Sequence, residues 1–330
     1  MSNGKPTLKE VAERAGVSVS AASRILGVSG NTIRLCAATI EKVRAVAAEL
    51  GYQPHLNARN LRLGKSNIIG VCLSMPETDN SDLTYRLLKG ISETAMKAGK
   101  SMLVYDTSEP GELVEALKHM LALRVDGIVL THNKDARYKA FVRQVIKGGT
   151  RVVATLDLEG DLPCPRVIAD DARGGELATE YLIGKGCVRI AYIGSLGRLS
   201  SGVPRWEGYV RTLESHGLPV IKEFTAAAFF ADEAVAAAKK MFAGRRVPDG
   251  VFVWSDKTAV AVKRFLDAEG FAVPVIGYNN NEFLRYVGFP MPSVYNPFYE
   301  TGVKAVELLV SESYGTESSV MVYPKIVLGV

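Results

Sequence analysis

The sequence predicts an α-helical N-terminal domain of the helix-turn-helix type, joined by a linker to a larger α/β core. Within residues 1–52, two short amphipathic segments separated by one glycine precede a third helical segment, which is typical of a helix-turn-helix. From residue 67 onward, apolar segments alternate with amphipathic ones, and this favours parallel sheets covered by helices on both faces. A chain of 330 residues is long enough for two such sheets.

The first helix begins at a capping box. Thr7 and Glu10 are three residues apart, so each side chain can accept the backbone amide of the other. Gly16 suits the left-handed conformation that ends a helix, and Ser18 is a good N-cap for the second helix. The second and third helices are predicted over residues 19–26 and 39–50.

Residues 53–66 form a basic segment with few apolar side chains. Pro54 interrupts the helical pattern, while Ala58 and Leu61 fall on one side of a short helix. Such a segment is too short and polar to be a stable helix alone in water. We therefore predict a linker that becomes ordered on contact with a partner.

The positive charge is concentrated at the N-terminus. Residues 1–66 hold ten basic and four acidic residues, a net charge of +6, whereas the rest of the chain carries −1. A small basic domain on a nearly neutral body indicates a polyanionic partner for that domain.

The core is predicted to contain two parallel sheets, with the change of sheet near residues 163–165. Its apolar segments have the length of buried strands, and the segments between them have helical periodicity. The predicted strands are 68–74, 101–107, 125–131, 151–157, 189–195, 250–256 and 274–280, with helices at 83–98, 176–185 and 258–269 among others.

A small-molecule site is expected at the carboxyl ends of these strands, where open α/β sheets bind ligands. The strand ends are polar, and two facing edges of this kind enclose a cleft for a small polar molecule. Arg205 begins a helix shortly after one strand. The strand-end candidates are Ser74, Thr131, Asp157, Asp256 and Asn279.

Enzymatic, metal-binding and secreted classes are disfavoured. No phosphate loop, nucleophile elbow or catalytic constellation is present, and we expect no cofactor. The four His residues lack metal-ligand spacing, and Cys36, Cys72, Cys164 and Cys187 are far apart in sequence, so neither a metal site nor a disulfide scaffold is expected. No apolar run has the length of a membrane helix, and the charged N-terminus is unlike a signal peptide. We expect a cytoplasmic protein.

Several segments resemble one family in order along essentially the whole chain. TLKEVAERAGVSVSAASRIL (7–26) and TIEKVRAVAAELGYQPHLNARNLRLGKS (39–66) resemble the helix-turn-helix, third helix and hinge of the lactose-repressor (LacI/GalR) transcription factors. In the core, IADDARGGELATEYLIGKG, R-x-x-G-Y, VPVIGYNN and PSVYNPFYETGVKAVELL are similar to family motifs.

The resemblance implies a homodimeric repressor that binds a palindromic operator. Its periplasmic-binding-protein-like core would have two doubly wound subdomains, with an effector, a sugar or sugar derivative, in the cleft between them. The implied domains are the DNA-binding domain 1–52, the hinge 53–66 and the core 67–330. The core divides into an N-subdomain of about 67–162 plus part of 293–318, and a C-subdomain of about 166–292 plus the C-terminal strand.

The resemblance also assigns roles in DNA binding. Leu61 matches the hinge leucine that wedges into the minor groove, and Ala58 lies on the same side of the hinge. Bases would be read by Val19, Ser20 and Arg24, and phosphates contacted by Thr7, Ser18 and Ser23.

In the cleft, Arg205 matches the effector-clamping arginine, and Asp256 the acidic residue of an N-D pair. Phe230 lies near a position for a stacking aromatic residue. Asn279 replaces an Asp of sugar-binding members, so an acidic sugar is one hypothesis for the effector. A repressor that needs a purine or nucleoside corepressor is an alternative, and a transport-type sugar-binding protein is a weaker one.

Two departures from the family lie before the third helix. The loop from Gly27 to Ala38 is longer than in much of the family, and Cys36 occupies the place of a helix-capping Ser. A thiol caps poorly, so replacing Cys36 with Ser is expected to raise the melting temperature of residues 1–66.

Overall fold

The computed structural model describes two compact units, Met1–Ser66 and Asn67–Val330. Of the sequence expectations, those for Ala58, Leu61, Ser74 and Asp157 lie outside the described residues, as does most of the loop after Leu26. The described residues are 6–26, 36–53, 66–73, 81–109, 111–131, 138–156, 162–196 and 201–329.

The first unit contains three helices, α1 (Leu8–Ala15), α2 (Val19–Leu26) and α3 (Ala37–Glu49). Gly16 follows α1 with φ of 70°, a left-handed conformation that allows the tight turn into α2. Small and β-branched side chains from all three helices form the buried core, because short helices must approach closely to exclude water. Its fully buried members are Val11, Ala12, Ala15, Ala22, Val43 and Ala47.

The second unit contains two six-stranded sheets. In the described residues its helices are α4 (Ser81–Lys97), α5 (Glu112–Ala122), α6 (Tyr138–Lys147), α7 (Asp171–Gly184), α8 (Gly202–Ser215), α9 (Ala231–Phe242), α10 (Asp256–Ala268) and α11 (Phe298–Val310). Its strands are β1 (Ile68–Leu73), β2 (Ser101–Asp106), β3 (Gly127–Leu130), β4 (Arg151–Thr155), β5 (Arg166–Ala169), β6 (Ile190–Gly194), β7 (Thr225–Ala227), β8 (Gly250–Val253), β9 (Val275–Asn279), β10 (Ser293–Tyr295), β11 (Val320–Val322) and β12 (Lys325–Val327).

The two sheets repeat one topology. The first has the order β11-β5-β4-β3-β1-β2, and the second has the order β12-β10-β9-β8-β6-β7. Neighbouring strands are parallel except for the antiparallel pair β10–β12. Each sheet is therefore doubly wound, with its ligand-binding edge at the carboxyl ends of the strands.

Each sheet and its covering helices form one lobe. The first lobe combines its sheet with α4, α5, α6 and α11, and the second combines its sheet with α7 to α10. Nearly continuous Val, Ile and Ala strands fill both cores, as expected for strands buried on both faces. The chain passes between lobes after β5, after β10 and between β11 and β12.

The predicted change of sheet near residues 163–165 is wrong. Strand β5 begins at Arg166 and pairs with β4, so the chain leaves the first lobe only after Ala169. The C-subdomain therefore does not begin at 166. Strand β10 lies in the second sheet and β11 in the first. The prolines at 163 and 165 suggested a boundary, and a strand of four residues is too short to give a periodic signal.

Candidate functional site

The exposed side of α2 presents the three residues predicted to read bases. Val19, Ser20 and Arg24 are all exposed, and 45% of the Val19 surface is accessible. Ala22 of the same helix is completely buried. Residues four apart share a helix face, so Ser20 and Arg24 lie side by side.

The predicted phosphate-contacting residues use their hydroxyls differently. Thr7 Oγ accepts the Glu10 amide at 3.3 Å, and the Thr7 amide donates to the Glu10 carboxylate at 2.7 Å. These bonds lower the pKa of Glu10. Ser18 Oγ accepts the Ala21 amide at 3.1 Å, whereas Ser23 is half-buried within α2. Thr7 and Ser18 thus fix the starts of α1 and α2, whose first amides lack intrahelical partners.

In the second lobe, Arg205 is 3% exposed and forms the centre of a polar cluster. Its Nε donates to Asp171 Oδ1 at 2.7 Å, and a terminal nitrogen donates to the Trp254 carbonyl at 2.8 Å. The guanidinium lies 3.5 Å from the centroid of the Tyr278 ring. Burial lowers the pKa of Arg205, but Asp171 and Tyr278 raise it to a net value above its ordinary one. The guanidinium is therefore positively charged, and the carboxylate of Asp171 balances its charge.

Two adjacent glycines in the motif D-D-A-R-G-G let α7 approach this cluster. A Cβ on Gly174 would collide with the Tyr278 hydroxyl, and one on Gly175 with the Arg205 carbonyl. The Tyr278 hydroxyl donates to Asp171 Oδ1 at 3.1 Å. The motif therefore positions an acidic partner for both side chains.

Asp256 is fully buried and holds the chain that follows β9. Its Oδ1 accepts the Ser293 hydroxyl at 2.6 Å, and its Oδ2 accepts the Asn281 amide at 2.7 Å. Burial raises the pKa of Asp256 to about 7, although both hydrogen bonds lower it. Asn279 and Asn280 have positive φ values of 104° and 49°, and this turn delivers the amide that Asp256 binds.

An aromatic group lies at the carboxyl ends of β7 and β8. The Phe229 ring stacks on Trp254 with centroids 5.0 Å apart, and Phe230 contacts Phe229 edge to face at 5.1 Å. Phe230 is 48% exposed. Trp254 is buried, and its Nε1 has no hydrogen-bond partner among the described residues. Buried donors without partners are uncommon, so this indole calls for a polar contact that the described residues do not supply.

A second unpartnered atom lies beside Asn279. Asn296 follows β10, is 4% exposed, and donates through Nδ2 to Asn279 Oδ1 at 3.3 Å. Its own Oδ1 is buried without a partner in the described part of the chain. In the first lobe, by contrast, the buried Thr131 hydroxyl donates to the Cys72 carbonyl at 3.1 Å.

The structure brings Arg205, Asp256 and Asn279 to one edge of the second sheet, and the stack of Phe229 on Trp254 links Phe230 to it. Thr131 lies on the other sheet. Sequence reasoning did not assign Trp254 or Asn296 to the site, although each directly follows a strand. The contribution of Tyr278 also went unpredicted, because apolar neighbours on β9 suggest a core role.

Within the described ranges, no helix is long and apolar enough to cross a membrane, and no group of three or more His, Cys, Asp or Glu residues could hold a metal ion.

Comparisons with known proteins agree with this architecture. Residues 7–55 match the bacterial regulatory proteins of the lacI family, and residues 179–324 match the periplasmic binding protein-like domain. The chain is 28% identical to the HTH-type transcriptional repressor PurR of Vibrio parahaemolyticus, covering 98% of this chain and 97% of that protein. It is also 28% identical to the ribose operon repressor of Escherichia coli K12, with 92% of each covered.

A solved structure of the Lac repressor dimer, bound to operator and an anti-inducer, has the same fold, with a TM-score of 0.78 at 24% identity and 98% of each chain covered. The two units together define a DNA-binding regulator whose core binds an effector. The chain combines a DNA-binding domain of the lacI family with a periplasmic binding protein-like domain, and it is similar along almost its whole length to bacterial transcriptional repressors.

Proposed function

We propose that this protein acts in the cytoplasm as a homodimer that represses transcription from a palindromic operator. A neutral carbohydrate bound between the two lobes of its core sets its affinity for that operator. The observation that carries this proposal is the exposed face of α2. This helix belongs to the three-helix domain of residues 1–52, the headpiece, which has a hydrophobic core of its own. Residues 1–52, 53–66 and 67–330 serve as DNA-binding domain, hinge and effector core.

Arg24 reads a guanine in the major groove. A guanidinium donates two parallel hydrogen bonds to guanine O6 and N7, worth about 1–3 kcal/mol of discrimination. Val19 contacts a thymine methyl, and Ser20 lies between them on the same exposed face. The starts of α1 and α2, fixed by Thr7 and Ser18, together with Ser23, contact phosphates and set the register. In the linker, Ala58 and Leu61 enter the minor groove.

The unpartnered atoms of the second lobe favour a ligand rich in hydroxyl groups. Trp254 Nε1 requires an acceptor and Asn296 Oδ1 requires a donor, and a sugar hydroxyl supplies both. The charge of Arg205 is already balanced by Asp171 at 2.7 Å. A carboxylate would place its negative charge against Asn296 Oδ1, and the charge of Arg205 is already taken up by Asp171, so we favour a neutral sugar over the acidic sugar suggested by Asn279.

A purine or nucleoside corepressor is the second candidate. The stack of Phe229 on Trp254, with Phe230 at its edge, offers the kind of aromatic surface on which a base stacks. A purine would depend mainly on these rings, whereas a sugar would depend on the hydrogen bonds of Asn296 and Trp254.

Calorimetric titration distinguishes the two candidates. The full-length protein is titrated with D-ribose, cellobiose, D-glucuronate, guanine and adenosine. Asn296→Leu and Trp254→Phe remove the unpartnered atoms, and Trp254→Phe leaves a smaller aromatic ring in place, while Phe230→Leu removes an exposed ring. We expect a neutral sugar to bind and both polar deletions to weaken it more than Phe230→Leu does. Binding of a purine alone, weakened chiefly by Phe230→Leu, would favour the second candidate.

A further inference from the structure

Two charged residues of α4 bind the chain segment that follows β9, the strand that ends at Asn279. Arg86 donates through one nitrogen to the Asn279 carbonyl at 3.2 Å and through the other to the Asn280 carbonyl at 2.5 Å. Asp82 accepts the Glu282 amide at 3.1 Å. Because α4 belongs to the first lobe and β9 to the second, these bonds join the lobes; we refer to Asp82 and Arg86 as the strap.

The strap is organised within α4 before it meets the second lobe. Arg86 and Asp82 are one helical turn apart and form an ion pair of 2.7 Å. Their side chains are only 17% and 21% exposed, so the pair is screened less than a surface pair. Asp82 fixes the guanidinium in the orientation that reaches both carbonyls, and charge-assisted bonds of this kind are stronger than neutral ones.

The segment held by the strap is also held by the proposed effector site. The Asn281 amide donates to Asp256, and the Asn280 amide donates to Ser293 Oγ at 2.9 Å. The carbonyls that Arg86 binds belong to residues with positive φ, which non-glycine residues adopt at a cost. The strap thus helps to maintain the turn that orients the Asn279 side chain toward Asn296.

The segment has room to move if the strap is released. A pocket of about 390 Å³ lies beside it and is lined from both lobes, with Lys89 and Arg86 on one side and Asn280 and Arg285 on the other. Water in this pocket can bind the two carbonyls in place of Arg86. Release therefore leaves no buried acceptor without a partner.

We propose that Arg86, oriented by Asp82, is a positioning residue that ties the Asn279–Glu282 segment of the effector site to the first lobe and thereby couples that site to the arrangement of the lobes. This proposal rests on the function proposed above. A ligand that alters the Asn279 turn would change the carbonyl positions that Arg86 binds, and so change the relative stability of the two lobe arrangements.

The positioning role is tested by amide hydrogen exchange on the full-length protein without effector. Arg86→Gln and Asp82→Asn remove the strap, Arg86→Lys keeps its charge, and Lys89→Gln is the control one turn along the same helix face. We expect Arg86→Gln to speed exchange of the Asn281 and Glu282 amides at least about fivefold. Asp82→Asn should speed exchange chiefly at Glu282, and Arg86→Lys should give rates between those of wild type and Arg86→Gln. The exchange rates of Lys89→Gln should match those of wild type. Unchanged exchange in Arg86→Gln would overturn the positioning role.

The coupling is tested by the affinity of the same variants for an operator duplex selected from a random pool. We expect Arg86→Gln to shift the dissociation constant at least about fivefold, with Lys89→Gln unchanged and exchange in residues 7–52 unaltered. Faster exchange with unchanged operator affinity would mean that the strap is only structural and would overturn the coupling. If the wild type selects no operator, the proposed function and the coupling fail together, and exchange still decides the positioning role.

Discussion

Arg205 and Asp171 form a buried ion pair of 2.7 Å in which the arginine side chain is 4% and the aspartate side chain 16% exposed. The same Asp171 oxygen also accepts the Tyr278 hydroxyl, so one carboxylate orients both the guanidinium and the ring beneath it. The pair presets the cluster before any ligand arrives. For the effector proposed above, this preorganisation would lower the ordering cost of binding.

Removing the arginine should therefore destabilise the core. Arg205→Met leaves Asp171 buried without its cation, and breaking one side of a buried pair costs about 3–5 kcal/mol. Asp171→Asn combined with Arg205→Met should cost less than the sum of the single changes, because no uncompensated charge remains. Urea unfolding of wild type, the two single variants and the double variant measures the coupling energy of the pair. Losses of stability that are strictly additive would contradict an energetically coupled pair.

The buried carboxyl of Asp256 makes core stability depend on pH. Its folded-state pKa of about 7 lies above the ordinary value of 3.8, so the folded protein holds this proton more tightly than the unfolded chain. Stability from this group is full below about pH 4 and falls as pH rises to about 7, by at most about 1.4 kcal/mol per pH unit.

The measurement is the free energy of unfolding of wild type relative to Asp256→Asn between pH 4.5 and 8. Taking the difference removes the contribution of other titrating groups. We expect the difference to fall with rising pH and to level off above about pH 7.5. A difference that stays flat from pH 4.5 to 8 would mean that the Ser293 and Asn281 hydrogen bonds hold the carboxylate ionised, and would contradict the raised pKa.

The start of α3 can be stabilised. Cys36 is its N-cap residue and makes no side-chain capping bond, whereas the capping box of Thr7 is complete. Cys36→Ser should stabilise the headpiece by about 1 kcal/mol and raise the melting temperature of a 1–66 fragment. Thr7→Ala is the opposite control and should lower it. An unchanged melting temperature in Cys36→Ser would contradict this account of the cap.

Two substitutions separate the proposed reading of a base by Arg24 from the effect of its positive charge on DNA affinity. Arg24→Ala should weaken specific binding by about 1–3 kcal/mol and relax selection at one guanine. Arg24→Lys keeps the charge but cannot form the two parallel bonds, so it should lose discrimination while keeping the salt dependence of binding. Competition between the selected operator and single-base variants measures this. Equal weakening on all sequences would instead assign Arg24 to a phosphate.

Local sequence signals were sufficient for the headpiece and for much of the core. The Thr7 capping box and Gly16 turn depend on neighbouring residues, and the structure confirms them. Strand β5 was missed because four residues that follow two prolines carry little periodicity. The family resemblance pointed to Arg205 as a candidate, but not to the ring of Tyr278 beneath it.

Long-range polar contacts leave no pattern in the sequence. Asp82 and Arg86 look like an ordinary i,i+4 pair on a solvated helix, and their partners lie about 200 residues later in the chain. Trp254 Nε1 and Asn296 Oδ1, which have no hydrogen-bond partner among the described residues, likewise stand out only once packing buries them. Such features depend on which strand ends the topology brings together.

Effector-controlled operator binding is tested most directly by one experiment. A random duplex pool is selected with the full-length protein, and the dissociation constant of the enriched duplex is measured with and without D-ribose, cellobiose, D-glucuronate, guanine and adenosine. We predict an enriched palindrome, bound with an affinity that falls steeply with salt and that one neutral sugar changes at least about fivefold. Selection that enriches no sequence, with DNA affinity unchanged by every compound, would contradict the account.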